Sequence, residues 1–195
     1  MEFLHSLPPY NSFMGLEEKH RDFKKSKVVI LPLPYDSTVS YGTGARNGPR
    51  EAIMASHYVE IYDHETKSEA YKVGISTLEE IEMARGNAEE NCKRVADVID
   101  QLLQQKKFIV SLGGEHSLTI GVIMGFAKHF KNFSVLHFDA HQDLRSDYEG
   151  SEFSHACALN NAAKTLKSVV QVGIRSTTME QLEWGEKNGV KVIFA

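Results

Sequence analysis

Thiols and long apolar runs are both scarce in this sequence, and neither sign of charge dominates. Only two of the 195 residues are cysteine, Cys92 and Cys157, far apart and without a CxxC pairing. That argues against a disulfide scaffold and fits a reducing compartment such as the cytoplasm. No apolar stretch approaches the ~18 residues of a membrane span. The first ten residues, with His5, Pro8 and Pro9, lack the basic-then-apolar order of a secretory leader, so neither secretion nor membrane insertion is expected. Lys and Arg total 22 against 26 Asp and Glu, for a net charge of -4. Nucleic-acid binding, which needs a basic patch to offset phosphate charge, is therefore not expected either. There are no repeats, low-complexity tracts or interdomain linkers, and 195 residues with 42% hydrophobic content suit a single domain spanning 1–195. Histidine, by contrast, is plentiful: of nine, His116, His129, His137, His141 and His155 crowd into about forty residues.

The hydrophobic pattern alternates between strand and helix. Lys27 to Pro34 carries a continuous apolar run, Val28 to Leu31, that reads as a strand buried on both faces. A glycine-rich loop, Tyr41 to Arg50, follows, then a short helix over Glu51 to Ser56 entered through Pro49. Tyr71 to Ile75 reads as a weaker strand. Asn87 to Lys106 is a helix, because Cys92, Val95, Val98, Ile99, Leu102 and Leu103 recur at three- and four-residue steps. The spacing then predicts strand Phe108 to Leu112, helix Leu118 to Lys128, strand Phe133 to Phe138, a polar loop, a short helix near His155 to Ala163, and strand Val169 to Gly173. A helix opened by Thr177, with Glu180 in the place of a capping-box acid, leads to strand Val190 to Phe194. Such alternation implies an α/β fold, a parallel sheet with helices on both faces. The last strand has no helix after it to cover an apolar face, so the fold reads as interrupted.

Ligand sites in open α/β sheets lie off the carboxyl ends of strands, and two polar clusters sit there. Gly113-Gly-Glu-His-Ser117 follows one strand and Asp139-Ala-His-Gln-Asp143 follows another. In extended chain, the i, i+2, i+4 spacing turns Asp139, His141 and Asp143 to one side. Two carboxylates that close repel unless a cation neutralises them, which makes a metal site. Carboxylate and imidazole without thiolate suit Mn²⁺, Fe²⁺ or Zn²⁺. Gly113 and Gly114 let the backbone bend so that His116 reaches the same point. His137, inside a strand, reads as a buried hydrogen-bonded residue. His155 is either a plain loop histidine or an acid–base group.

The motifs Gly-Gly-Glu-His116-Ser and Phe138-Asp-Ala-His141-Gln-Asp143 resemble those of the ureohydrolases, the arginases, agmatinases and their relatives. So do Leu33-Pro-Tyr-Asp36 with Gly44-Ala-Arg-Asn-Gly-Pro-Arg50, the agmatinase-like loop Tyr148-Glu-Gly with Phe153-Ser-His155-Ala-Cys157, and Gln171-Val-Gly-Ile-Arg175. The resemblance covers roughly Val28 to Arg175, in the family's order. It implies a three-layer α/β/α arginase-like fold truncated after a late strand, and a two-ion Mn²⁺ centre. His116 and Asp143 would be terminal ligands of one ion, His141 of the other, with Asp139 bridging. The implied reaction is agmatine plus water to putrescine plus urea, in a cytoplasmic homo-oligomer, trimer or hexamer, of polyamine metabolism. Asp143 would steer the hydroxide and His155 would carry a proton to the leaving amine.

Two departures stand out. Where relatives with this Ser-His-Ala-Cys segment commonly carry two arginines, the chain reads Ala158-Leu-Asn160-Asn161. The family's later Asp-x-Asp pair has no counterpart here, since Asp147 is the only aspartate after Asp143. Ions that take ~6 donors each are not filled by four residues, so little urea release is expected of this chain alone. The competing expectation is a non-catalytic homologue that keeps the fold and binds guanidine or partner subunits. A metal phosphoesterase ranks lower, for want of that group's later Gly-Asn-His and Gly-His motifs.

Overall fold

The computed structural model describes residues 5–195; the first four residues, part of the stretch read above for a leader, lie outside the described residues. The chain groups into two compact units.

The first unit comprises Met1–Asp36, Gly42–Met83 and Gln101–Gly114. After two 3-10 turns, Pro9–Asn11 and Phe13–Gly15, comes a one-turn helix, α1 (Glu18–Arg21), too short to leave an apolar period in the sequence. Its sheet places β1 (Val28–Leu33) between β2 (Ile75–Thr77) and β3 (Phe108–Gly113), all parallel. The central strand is the one whose apolar run is continuous, and Val29, Ile30, Leu31 and Leu33 are all buried, as a strand covered on both faces requires. The strand anticipated over Tyr71 to Ile75 starts later. Ala70–Val73 is a 3-10 turn, and Gly74, at φ 81°, redirects the chain into β2. A Cβ on Gly74 would lie 2.7 Å from Ser26 Cα, so both the backbone angle and the close approach demand glycine. The helix after the glycine-rich loop, α2 (Gly48–Ala55), carries Pro49 in its first turn, where the missing N–H costs nothing. Asp36 organises the loop before it: its carboxylate accepts from Gly44 N at 2.6 Å and pairs with Arg46. Burial works to raise the Asp36 carboxyl, but the Gly44 and Arg46 donors and the Arg46 charge outweigh it and hold the carboxyl below its ordinary value.

The second unit comprises Ser37–Tyr41, Ala84–Asp100 and Glu115–Ala195. Its sheet has the order β4 (Ser134–Phe138), β5 (Ser168–Ile174), β6 (Lys191–Phe194), again parallel. β3 is an outer strand of the first unit's sheet and β4 an outer strand of the second's. Strand order depends on tertiary pairing, which the periodicity that locates strands does not carry. As an outer strand, β4 leaves Leu136 and Phe138 exposed. The helix α3 (Ala88–Gln104) starts where Asn87 Oδ1 accepts from Glu90 N at 2.9 Å, as an N-cap does. Its buried face includes Cys92, Val95, Ala96 and Ile99. Against that face lies α4 (Leu118–Ala127), whose Gly121 and Gly125 leave no room for a Cβ beside Cys92 and Ile99.

Core packing in this unit joins Cys92, Ile120, Ile123, Leu144, Leu159 and Val169. Each leucine or isoleucine so buried contributes roughly 1.5–3 kcal/mol. Both cysteines are free and buried, and burial pushes Cys92 up to about 12 and Cys157 up to about 11. After α5 (Ala158–Ala163) and β5 comes α6 (Met179–Lys187), whose cap is Thr178 rather than Thr177: Thr178 accepts from Gln181 N. Thr177 is unavailable because its hydroxyl donates to Gln142 Oε1. No helix among the described residues is long and apolar enough to cross a membrane.

Candidate metal centre

The chain leaves β3 through Gly113 and Gly114, and a Cβ on Gly114 would fall 2.0 Å from the Tyr35 carbonyl oxygen. Only glycine allows that backbone approach. The next residues, Glu115 and His116, enter the second unit, where His116 Nδ1 lies 2.6 Å from Asp143 Oδ2. His116 also stacks on His137, with ring centroids 5.2 Å apart and planes 20° from parallel. His137 Nε2 lies in turn 3.4 Å from Asp139 Oδ2. One ligand atom from each of His116, His137, Asp139 and Asp143 lies within 4.8 Å of all the others.

Of the residues anticipated from sequence, the structure thus brings together His116, Asp139 and Asp143. His141 stands apart from this group with its side chain 62% exposed, although its Nδ1 is 3.5 Å from Asp139 Oδ1. The anticipated extended run does not persist through the motif. His141 N donates to Asp139 Oδ1 at 2.8 Å, and Asp143 takes a left-handed backbone at φ 51°. An aspartate tolerates that region better than most residues. The turn lets the Asp143 carbonyl accept from Leu159 N and Asn160 N, at 3.0 and 3.2 Å. Asn160 Nδ2 donates to the Leu144 carbonyl at 3.0 Å, and Asn161 Nδ2 donates to the Glu152 carbonyl. In this chain the two asparagines anchor the loops that flank Asp143 and His155.

The electrostatics fit a cation. Burial alone would raise Asp139, but the His141 N–H and the neighbouring imidazoles hold its carboxyl below the ordinary carboxylate value. Burial, reinforced by His116, pushes the His137 imidazole below its ordinary value. His137 Nε2 is buried without a hydrogen-bond partner. Two carboxylates and an imidazole converging beside an orphaned buried nitrogen form a donor set suited to a hard or borderline divalent ion.

His155 belongs to a second cluster. Its Nε2 is 3.0 Å from Ser40 Oγ, its ring meets Tyr148 edge-on with centroids 5.6 Å apart, and its backbone N donates to Thr38 Oγ1 at 3.1 Å. Thr38 is fastened in turn to Glu115, which is only 6% exposed. Thr38 N donates to Oε2 at 2.7 Å and Thr38 Oγ1 to Oε1 at 2.6 Å, while Ser117 Oγ also donates to Oε1. One buried carboxylate next to His116 therefore ties the segment Ser37–Tyr41 to His155. Glu115 was visible in its motif without a role. Thr38, Ser40, Gln142 and Gln171 gave no signal, because the partners that give them meaning are far along the chain.

Comparison with known proteins extends over nearly the whole chain. A model of the arginase family matches residues 26–195. The chain is 35% identical over 173 residues to an N(1)-aminopropylagmatine ureohydrolase of Thermus thermophilus, a match covering 89% of this chain and 59% of that protein. It is 33% identical over 177 residues to an agmatinase of Bacillus cereus, covering 90% and 61%. Among solved structures it is similar to an agmatine ureohydrolase of Thermoplasma volcanium, with a TM-score of 0.80, 26% identity, and coverage of 98% of this chain and 61% of the other. The chain thus spans about three-fifths of the length of these relatives.

Proposed function

This chain belongs to the arginase family, and from that premise we propose that it provides metal-binding and acid–base residues for hydrolysing the guanidino group of a small cation, agmatine by preference, to an amine and urea. The observation that carries the reading is the convergence of His116, Asp139 and Asp143. With His141 beside Asp139, these residues would hold the metal, proposed as two Mn²⁺ ions in the complete protein. Held by these residues, divalent ions would supply a hydroxide nucleophile near neutral pH, because coordination can lower the pKa of water from 15.7 to ~7. A guanidinium carbon is resonance-stabilised and a poor electrophile, so this chemistry answers its need.

The chain's own residues supply binding and proton movement. Asp139 and Asp143 present negative charge to a cationic substrate and to the ions. His155, an imidazole able to give and take a proton, is held by Thr38 with its Nε2 beside Ser40, where it carries a proton to the leaving amine. The loop around Tyr148 offers Asp147, Glu149 and Glu152 and no lysine or arginine from 146 to 154. It therefore favours a diamine-like substrate over one bearing an α-carboxylate. The bacterial relatives named for agmatine and aminopropylagmatine support the same substrate class, and the proposal includes a cytoplasmic homo-oligomer with a role in polyamine synthesis.

The test is urea release by the complete protein with excess Mn²⁺. Agmatine should be turned over with a kcat/KM at least tenfold above that for arginine, and dialysis against a chelator should abolish the activity. Equal efficiency on arginine would overturn the substrate assignment, and full activity after chelation would overturn the mechanism.

A further inference from the structure

Asp143 is bent into its left-handed turn, at φ 51°, by groups that are not themselves candidate ligands. A residue's φ and ψ are set by the planes of its two flanking peptides, and both planes are held here. Before Asp143, the Gln142 carbonyl accepts from Gln171 Nε2 at 2.6 Å. After it, both ends of one peptide are taken: the Asp143 carbonyl accepts from Leu159 N and Asn160 N, and Leu144 N donates to Gln181 Oε1 at 3.0 Å. The next carbonyl, that of Leu144, accepts from Asn160 Nδ2 at 3.0 Å. Asn160, Gln171 and Gln181 are 1%, 0% and 7% exposed, so water competes little for these bonds. Gln181 is fixed in its turn, because it lies in the first turn of α6 and its Nε2 donates to the Thr178 hydroxyl at 3.3 Å. The main-chain donors Leu159 N and Asn160 N belong to the start of α5 and need an acceptor whatever stands at 143. The side chains of Asn160, Gln171 and Gln181 have no such need, yet all three close on the peptides around one candidate ligand. A residue other than glycine persists in the left-handed region only where its surroundings over-determine it. From that backbone Asp143 Oδ2 reaches within 2.6 Å of His116 Nδ1.

We propose that Gln181, with Asn160, is a positioning residue for the metal centre: it holds the peptide after Asp143 so that the carboxylate is aimed before an ion arrives. Without an acceptor opposite Leu144 N, that peptide is free to turn. The left-handed strain is then released, and the carboxylate swings away from the point where it meets His116. Partners outside the ligand set orient ligands in other metal sites in the same way. The inference rests on the proposed metal centre for its effect on affinity, whereas the aim of Asp143 is a property of the metal-free protein.

The experiment compares Gln181→Met, which keeps the length and removes the acceptor, with Gln181→Glu, which keeps an acceptor, and with Asn160→Ala, all in the intact protein. In Mn²⁺ titrations Gln181→Met should lose on the order of 10–100-fold in affinity at unchanged ion stoichiometry, while Gln181→Glu stays within a few-fold of the unaltered protein. Metal-free crystal structures should show Asp143 of Gln181→Met outside the left-handed region, with its carboxylate beyond hydrogen-bond reach of His116. Equal affinities for the Met and Glu variants, a lowered melting temperature with unchanged affinity, or an Asp143 that has not moved would each overturn the proposal. If Gln181→Met does not fold, Asn160→Ala is read by the same titration and structure. Failure of the unaltered protein to bind metal would sink the proposed function, and the metal-free structures would still decide what aims Asp143.

Discussion

Replacing Gly121 with alanine tests how α4 packs on α3. In an exposed helix the change would stabilise by ~0.8–1.0 kcal/mol, the difference in helix propensity between the two residues. Here the new Cβ would meet Cys92 O at 2.5 Å, Cys92 Cα at 2.8 Å and Val95 Cβ at 2.9 Å. Two of the three obstructing atoms are backbone, so no rotamer change clears the clash and α3 must retreat. A carbon–oxygen contact settles at about 3.3–3.6 Å, which asks for a retreat of nearly 1 Å. A gap of that size forfeits roughly a quarter to a half of each dispersion contact along the seam. Overpacking of this kind costs about 1–3 kcal/mol, and the upper end applies because backbone must move. Subtracting the propensity gain leaves a loss of about 2 kcal/mol. For a chain of this size the melting temperature should fall by roughly 4–8 °C. Gly185→Ala is the matched comparison, since its Cβ would first meet the flexible end of Leu144, Cδ1 at 3.3 Å. That side chain can give, so the propensity gain should survive and Tm stay level or rise slightly. Circular-dichroism melts of the three proteins read this out. A Gly121→Ala protein melting at or above wild type would refute the argument that backbone contact between α3 and α4 sets the sign.

Asp139→Ala should remove more Mn²⁺ in a titration than His141→Ala, because Asp139 lies within the donor group and His141 outside it; equal losses would argue against a central role for Asp139. Thr38→Val should leave metal content unchanged while speeding hydrogen exchange at the His155 amide and lowering urea release. It leaves His155 N without its hydrogen-bond partner and removes one of the two donors to Glu115 Oε1, at about 1–3 kcal/mol for a buried group left unpaired; unaltered exchange at His155 would refute the tie. Asp36→Asn should destabilise the protein at pH 7. The Asp36 carboxyl is depressed in the folded state, so its contribution is present above the unfolded value of ~3.9 and lost as pH falls through the folded one. The gap between the denaturation midpoints of the two proteins should therefore narrow as pH falls below about 4, and a gap that does not narrow on acidification would count against the ionic account.

The strands and helices that were readable in advance are those whose burial is written into their own residues. The run Val28 to Leu31 and the spaced apolar face of α3 needed no partner to be recognised. The strand order within each sheet was not readable, because nothing in Phe108 to Gly113 or Ser134 to Phe138 names the strand each will pair with. The carboxyl ends of β3 and β4 pointed to His116, Asp139, His141 and Asp143 as candidates, since polar residues there have few structural reasons to exist. The expected extended chain does not hold through the motif, because Asp139 accepts from the His141 N–H. Glu115 and Thr38 meet across 77 residues, and His137, read as a buried hydrogen-bonded residue, has a partner 34 residues along the chain, Gln171.

Asp143 does two jobs with two different parts of itself, and this governs which alleles are informative. Its side chain faces His116, while its left-handed backbone presents the carbonyl to the start of α5. Alanine removes the carboxylate but also strains the backbone, since a left-handed conformation costs about 1–2 kcal/mol for residues other than glycine, asparagine and aspartate. An alanine scan would therefore score a folding defect as a lost ligand. Asparagine keeps the turn and removes only the charge, and glycine keeps the turn and removes the whole side chain. The pair Asp143→Asn and Asp143→Gly separates the two jobs genetically.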